Sequence, residues 1–211
     1  MYLSRIKLNT SLAKTMKGLA SPSLFHGAIE SSENCEKEER TRKLWRIDKL
    51  RGEDHLLILS ESKIDFSSVS KQFGYGEEFE SKCYDNFLES ISEGSRWRFR
   101  LRANPTVQKY APEKGRGKAI AHITIKHQEE WLKKQSEKYG FILSDEEWLV
   151  TESHWYNFKK NRADKSSIKL LAVTFDGILT VADIDKFRSA LTEGIGREKA
   201  YGMGMLTIAG I

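Results

Sequence analysis

Cysteine is nearly missing from this chain: Cys35 and Cys83 are the whole supply in 211 residues. Two thiols are too few for a disulfide framework, and neither has His or Cys neighbours at zinc-ligand spacing, so both are read as free. Three prolines and fifteen glycines exclude a collagen-like chain and long disordered linkers. No stretch approaches the roughly 20 apolar residues that a membrane helix needs. The opening MYLSRIKLNT alternates polar and apolar residues and has no charged region leading into an apolar one, which argues for a cytoplasmic protein without a secretory leader. What remains is a soluble, globular composition with 39% hydrophobic residues, long enough for one large or two small domains with usable cores.

The formal charge of +5 is mild, but it is unevenly spread. Residues 96–126 hold nine Lys or Arg (four of them Arg96, Arg98, Arg100 and Arg102) against Glu113 alone, a segment charge of +8 that leaves −3 for the rest. A second cluster, Lys159, Lys160, Arg162, Lys165 and Lys169 with Asp164, adds +4 within eleven residues. Cations gathered this way suit a polyanion, because counterion release at phosphates rewards clustered charge. A solvated basic face with no partner is the plain alternative. An anionic membrane fits less well, since neither cluster lies on a clearly amphipathic helix.

Hydrophobic patterning gives the order of elements. Residues 2–8 alternate as a strand, and Ser21-Pro22 supplies an N-cap and first-turn proline for a helix through about Ser32. Strands follow at 44–47 and 55–60 around a turn at Arg51-Gly52, then a short helix at 65–73 and a strand at 79–85. This β-α-β-β-α-β order belongs to a ferredoxin-like unit, two helices on one face of a four-stranded antiparallel sheet. The order then repeats: a strand at 97–105, a helix at 124–140 ended by Gly140, strands at 148–158 and 168–176, a helix at 183–194 and a strand at 204–210. The expected fold is α+β, two tandem ferredoxin-like domains over 1–90 and 96–211 joined near Asn86–Ser95. The polar segment 106–119 reads as a mobile loop.

Several residues carry candidate chemistry. In WRFRLR, period-two alternation puts Trp97, Phe99 and Leu101 on a core face and Arg98, Arg100 and Arg102 on a cationic one. With no acid interleaved, the arginines repel one another unless something anionic lies on them, which favours phosphate contact. The segment from Gly194 reads GIGREKAYGMG; Gly194, Gly196, Gly202 and Gly204 could let the backbone approach a phosphate, helped by Arg197 and Lys199. It follows a helix and precedes a strand, the reverse of a dinucleotide fingerprint, and a helix cap with a tight turn explains Gly194 by itself. On the helix after Pro22, Leu24, Phe25, Ala28 and Ile29 share one side while Ser23, His26, Gly27 and Glu30 face solvent. His26 then sits near a helix N-terminus, where the dipole disfavours imidazolium and suits proton transfer; an ordinary surface histidine fits equally. His122 and His127, i and i+5 across a strand-helix junction, are a poor zinc pair. The hairpin between 148–158 and 168–176 carries Lys159, Lys160 and Arg162 at its tip, suited to a nucleic-acid groove or to plain solvation.

Taken together, MYLSRI, ASPSLFH at 20–26, FRLRANP at 99–105, FDGILTV at 175–181 and GIGREKAYGMGMLTI at 194–208 resemble, end to end, the CasE-type CRISPR RNA endoribonucleases of type I-E systems. The resemblance implies two ferredoxin-like domains, a cut at the 3′ base of the stem-loop in each CRISPR repeat RNA, and retention of the product by a surveillance complex whose other subunits are partners. Outside that complex it implies a monomer. In the family a histidine on the first helix is catalytic, the place of His26. The terminal glycines with Lys199 lie in the RNA cleft, and Lys159, Lys160 and Arg162 match a basic hairpin that enters the RNA groove. Some relatives have a tyrosine three residues before the histidine; here that position is Ser23.

The expected chemistry uses no metal and no cofactor: the ribose 2′-OH attacks the adjacent phosphorus, giving a 2′,3′-cyclic phosphate and a 5′-OH. It needs a proton acceptor, a proton donor and cations, with acid–base catalysis worth roughly 10²–10⁴-fold. His26 is the candidate for proton transfer, as base, acid or both; Ser23 could orient it or the phosphate, and Lys17 or a cleft lysine could stabilise charge. The competing readings are an inert RNA-hairpin-binding subunit and a generic DNA- or membrane-surface binder.

Overall fold

The computed structural model describes residues 1–33, 41–109, 118–159 and 167–211. The chain forms two compact units. The first comprises Met1–Ser90 with Tyr156–Lys169 and Lys199–Met203; the second comprises Ile91–Trp155, Leu170–Glu198 and Gly204–Ile211.

The first unit runs β1 (Tyr2–Lys7), α1 (Ala13–Ala20), α2 (Ser23–Glu30), β2 (Leu44–Leu50), β3 (Glu53–Ser60), α3 (Ser67–Phe73), β4 (Glu80–Cys83) and α4 (Asp85–Glu89). The sheet order is β2-β3-β1-β4 with antiparallel neighbours. Alternation along β1 sends Ser4 and Ile6 into the interior and leaves Lys7 outside. Ile6 pairs with Leu56 and joins Phe25, Ile29, Trp45, Ile58, Phe66, Val69 and Phe73 in the core. On β2, Arg46 is 1% exposed and holds Asp48 through two hydrogen bonds of 2.7 and 2.6 Å, i to i+2 on one strand face.

Two helices here were not expected. The chain from Ala13 to Ala20 is helical, so His26 lies on the second helix, and Ser21 ends α1 rather than capping α2. Gly18 hides α1 in the sequence, because a helix-interior glycine is unfavourable. A Cβ there would stand 2.8 Å from the Phe25 ring, so the close approach of α1 to α2 requires glycine. Short α4 lies inside the segment assigned to the join. Leu24 also departs from its expected place: it is exposed, while Phe25, Ala28 and Ile29 are buried.

The second unit runs β5 (Arg96–Ala103), β6 (Thr106–Lys109), β7 (Lys118–Ala121), α5 (Ile125–Lys138), β8 (Phe141–Ile142), β9 (Trp148–Phe158), β10 (Ile168–Val181), α6 (Ile184–Glu193) and β11 (Leu206–Ala209); the outer ends of β9 and β10 belong to the first unit. Its sheet order is β11-β5-β10-β8, with β9 also on β10. The duplicated antiparallel sheet and helix arrangement is the expected tandem α+β architecture. Phe99 and Leu101 are buried, with Phe175, Phe187 and Leu191, and Trp131 stacks on Phe175 at 6.1 Å between centroids. The expected loop at 106–119 is instead a β-ribbon in its described part: Val107 pairs with Ile120 and Gln108 with Ala119. Cross-strand side-chain pairing stabilises such a ribbon where single-strand composition looks loop-like. Among the described residues no helix is long and apolar enough to cross a membrane.

Candidate active site

Within the first unit, three segments meet around His26. α2 carries Ser23, His26 and Glu30. The loop end of the β9–β10 hairpin brings Phe158 and Lys159, and Lys199–Tyr201 forms one turn of 3-10 helix. Trp45 on β2 anchors that turn by donating its indole N–H to the Ala200 carbonyl at 3.2 Å. Gly202 follows with φ +77°, and a Cβ there would stand 2.8 Å from the Trp45 ring, so this position requires glycine twice over. So held, Tyr201 is 8% exposed, edge-on to His26 at 6.0 Å and edge-on to Phe158 at 5.0 Å between centroids.

His26 is therefore half-buried rather than fully solvent-facing. Its Nδ1 is 4.0 Å from Oε1 of Glu30, one helical turn on. The Ser23 hydroxyl is 3.1 Å from that of Ser21 and donates to the Lys159 carbonyl at 3.3 Å, tying the start of α2 to the loop end of the hairpin. The Lys159 side chain is exposed. Lys160 and Arg162 lie outside the described residues, as does Cys35; Cys83 is a free, exposed thiol.

The terminal glycines divide between the two units. Gly194, Gly196 and Gly204 belong to the second and Gly202 to the first, all with φ between +76° and +85°. The N–H groups of Gly194, Gly202 and Gly204 donate to the carbonyls of Ala190, Lys199 and Arg102, so the left-handed backbone itself accounts for these glycines. Lys199 stands on the turn that carries Tyr201.

In the second unit, β5 alternates as expected: Arg98 is exposed, Arg100 and Arg102 are half-buried, and Phe99, Leu101 and Ala103 are buried. The expected absence of an acid is corrected by the register. Asp176 on β10 lies directly across from Arg100 and takes two hydrogen bonds from it, at 2.6 and 3.1 Å. Arg96 pairs with Glu147. Elsewhere in this unit, His122 and His127 come within 5.7 Å between ring centroids. Burial pushes His122 below the usual histidine range, with the charges of His127 and Lys134 adding to it. Among the described residues no group of three His, Cys, Asp or Glu forms a metal cage.

Sequence reasoning singled out His26 and Ser23 and did not bring Glu30, Lys43, Trp45 and Tyr201 to them as surroundings. Glu30 had a usable signal, its i+4 spacing from His26; Tyr201 had none beyond lying among the glycines.

Comparison with known proteins adds to this geometry. A family model described as CRISPR associated protein matches residues 1–210. The CRISPR-associated endoribonuclease Cse3 of Thermus thermophilus is 31% identical over 99% of this chain and all of its own. A solved structure of CRISPR endoribonuclease Cse3 bound to a 19-nucleotide RNA superposes with a TM-score of 0.81 at 27% identity, covering 99% of this chain and 100% of that one. A chain of a CRISPR RNA-guided surveillance complex superposes with a TM-score of 0.69 at 25% identity, each chain covered in full.

Proposed function

The chain belongs to the CRISPR-associated Cse3/CasE-type endoribonuclease family, and from that membership we propose that it cuts CRISPR repeat RNA at the 3′ base of its stem-loop and remains with the product in a type I-E surveillance complex. The observation that carries this reading is a half-buried histidine, His26, held by Tyr201 and Glu30 in a fold that matches an RNA-bound endoribonuclease from end to end. Its place of action is the cytoplasm.

Attack by the 2′-oxygen forms the P–O2′ bond and breaks the P–O5′ bond. One proton leaves the 2′-hydroxyl and one reaches the departing 5′-oxygen. His26 serves this proton transfer, at pH values where imidazole exchanges protons readily. A serine hydroxyl is a poor acid or base near neutral pH, so Ser23 works by orientation, fastening the loop end of the hairpin to α2 through the Lys159 carbonyl. Lys159, Lys160 and Arg162 on the hairpin, and Arg98, Arg100 and Arg102 on β5, supply phosphate contacts, with Arg100 sharing its charge with Asp176. Lys199 bears on the same RNA, and Gly194, Gly196, Gly202 and Gly204 give the loop that presents it its shape. Residues 1–90 carry the catalytic histidine, and residues 96–211 supply the hairpin and the glycine loop, of which Tyr156–Lys169 and Lys199–Met203 belong to the first unit.

The test incubates the protein with repeat RNA in EDTA, beside a copy with a 2′-deoxy nucleotide before the cut. The expected result is cleavage of the all-ribose RNA alone, with a cyclic phosphate end. His26→Ala is expected to abolish cleavage and leave hairpin affinity nearly unchanged. Tight binding without cleavage of either RNA would establish the inert binding subunit instead, and His26→Ala cutting at the wild-type rate would overturn the assignment of His26.

A further inference from the structure

Behind His26 lies a group of charges that the scheme above does not use. Glu30 directs Oε1 toward Nδ1 of His26 at 4.0 Å, and its other oxygen is 3.7 Å from Nζ of Lys43. The Lys43 side chain has no solvent exposure; it is bound at 2.5 Å by Glu33 and donates to the Thr41 carbonyl at 3.0 Å. A lysine sealed from water demands fixed counter-charge, since desolvating an unpaired ammonium is costly. Burial pushes the Glu33 carboxyl up, but the hydrogen bond and charge of Lys43 outweigh it and hold Glu33 below the usual glutamate range. Glu33 thus cancels Lys43. The charge of Glu30 is left to balance another cation, and the three groups together carry −1, which becomes zero when His26 is an imidazolium.

We propose that Glu30, anchored by the buried Lys43, is a positioning residue: it keeps Nδ1 of His26 protonated and turned into the protein, so that Nε2 faces the RNA as the proton donor to the departing 5′-oxygen. This inference rests on the function proposed above. In the step, the Nε2 proton goes to O5′ as P–O5′ breaks, the 2′-hydroxyl proton passes to water as P–O2′ forms, and neutral imidazole remains with its Nδ1–H toward Glu30. A separation of 4.0 Å is ion-pair distance rather than a hydrogen bond, and such contacts tighten when substrate closes the site.

The charged residues on the segments packed against α2 are Lys14 and Lys17 of α1, Lys71 of α3, Lys159 and Lys199. Lys14 is held by Gln72 at 2.6 Å and Lys71 by Glu77 at 2.9 Å. The N-terminal end of α2 opposes an imidazolium, so a carboxylate facing the ring is the counterweight that lets His26 hold a proton.

The experiment measures single-turnover cleavage of repeat stem-loop RNA in EDTA from about pH 5 to 9, for the full-length protein, Glu30→Gln and Glu30→Asp, with RNA affinity measured alongside. Glu30→Gln keeps the size and removes the charge. It is expected to cut about tenfold more slowly on the alkaline side and about fivefold more slowly near pH 7, with the fall-off displaced about one unit downward and affinity unchanged. Glu30→Asp is expected to keep the wild-type fall-off at a reduced rate. An unaltered pH profile in Glu30→Gln overturns the proposal. Should Glu30→Gln fail to fold, the His26 titration followed by NMR in the wild type decides: a midpoint at or below the free-histidine value of about 6.5 overturns it. Failure of the wild type to cut refutes the proposed function itself, and His26→Ala cutting at the wild-type rate refutes the role of His26; a wild type that cuts through His26 beside an unchanged Glu30→Gln refutes this inference alone.

Discussion

Substituting Gly202 by alanine tests how the site is held without touching a charged or proton-transferring group. At φ +77° an L-residue pays roughly 1–2 kcal/mol for the left-handed conformation. The added methyl also meets the Trp45 ring at 2.8 Å, closer than real carbon contacts allow, and that ring is 3% exposed in the core. Moving it breaks the indole hydrogen bond to Ala200, worth about 1 kcal/mol. Together the loss is about 3 kcal/mol, or a fall in Tm of roughly 6–12 °C for a chain of this size. The catalytic consequence is larger than the stability change, because the same turn carries Tyr201 to His26. A displacement of about 1 Å in a positioned catalytic group costs on the order of 10²-fold in rate. Thermal denaturation gives the first quantity, and single-turnover cleavage well below Tm, at saturating RNA, gives the second. A Gly202→Ala protein that melts with the wild type and cuts at its rate would refute the reasoning that Trp45 and Gly202 set the position of Tyr201.

Two further outcomes follow from the structure. Asp48→Ala takes from the Arg46 guanidinium, which is 1% exposed, the carboxylate that holds it through two hydrogen bonds, and is expected to cost about 3–5 kcal/mol in urea denaturation; replacing the pair together by apolar residues should cost less. Asp183 caps α6 by accepting from the Lys186 N–H at 3.1 Å. The Lys186 side chain, then its backbone N–H, hold the Asp183 carboxyl below the usual range. Its contribution to stability is therefore present above the ordinary aspartate range and lost as pH falls through the depressed native value. The slope of stability against pH in that acid window should shrink in Asp183→Asn.

The order of strands and helices was legible because each unit repeats one pattern of buried and exposed positions, and β9, at Trp148–Phe158, matches its expected span end to end. What escaped was fixed by contacts between residues far apart in the chain. α1 is obscured by Gly18, a residue chosen by the Phe25 ring and not by helix propensity. The β6–β7 ribbon looks like a loop until Val107 is set against Ile120. A count of charges within 96–126 could not find Asp176, which meets Arg100 across 76 residues of sequence. At the site, the place of His26 on a helix was readable from the residues around it, whereas Tyr201 and Trp45 come to it through the fold of the whole first unit.

The composition of that first unit bears on the order of events during synthesis. Its sheet is complete once β4 has been made, yet it also contains Tyr156–Lys169 and Lys199–Met203, translated after most of the second unit. While the ribosome is still adding residues beyond Ser90, His26 stands on α2 with neither Phe158 nor Tyr201 beside it. Vectorial folding can thus build the first sheet early, but His26 gains its setting among the last steps of production. With His26 in its proposed role, a nascent or prematurely terminated chain is kept from cutting RNA until Phe158 and Tyr201 are in place.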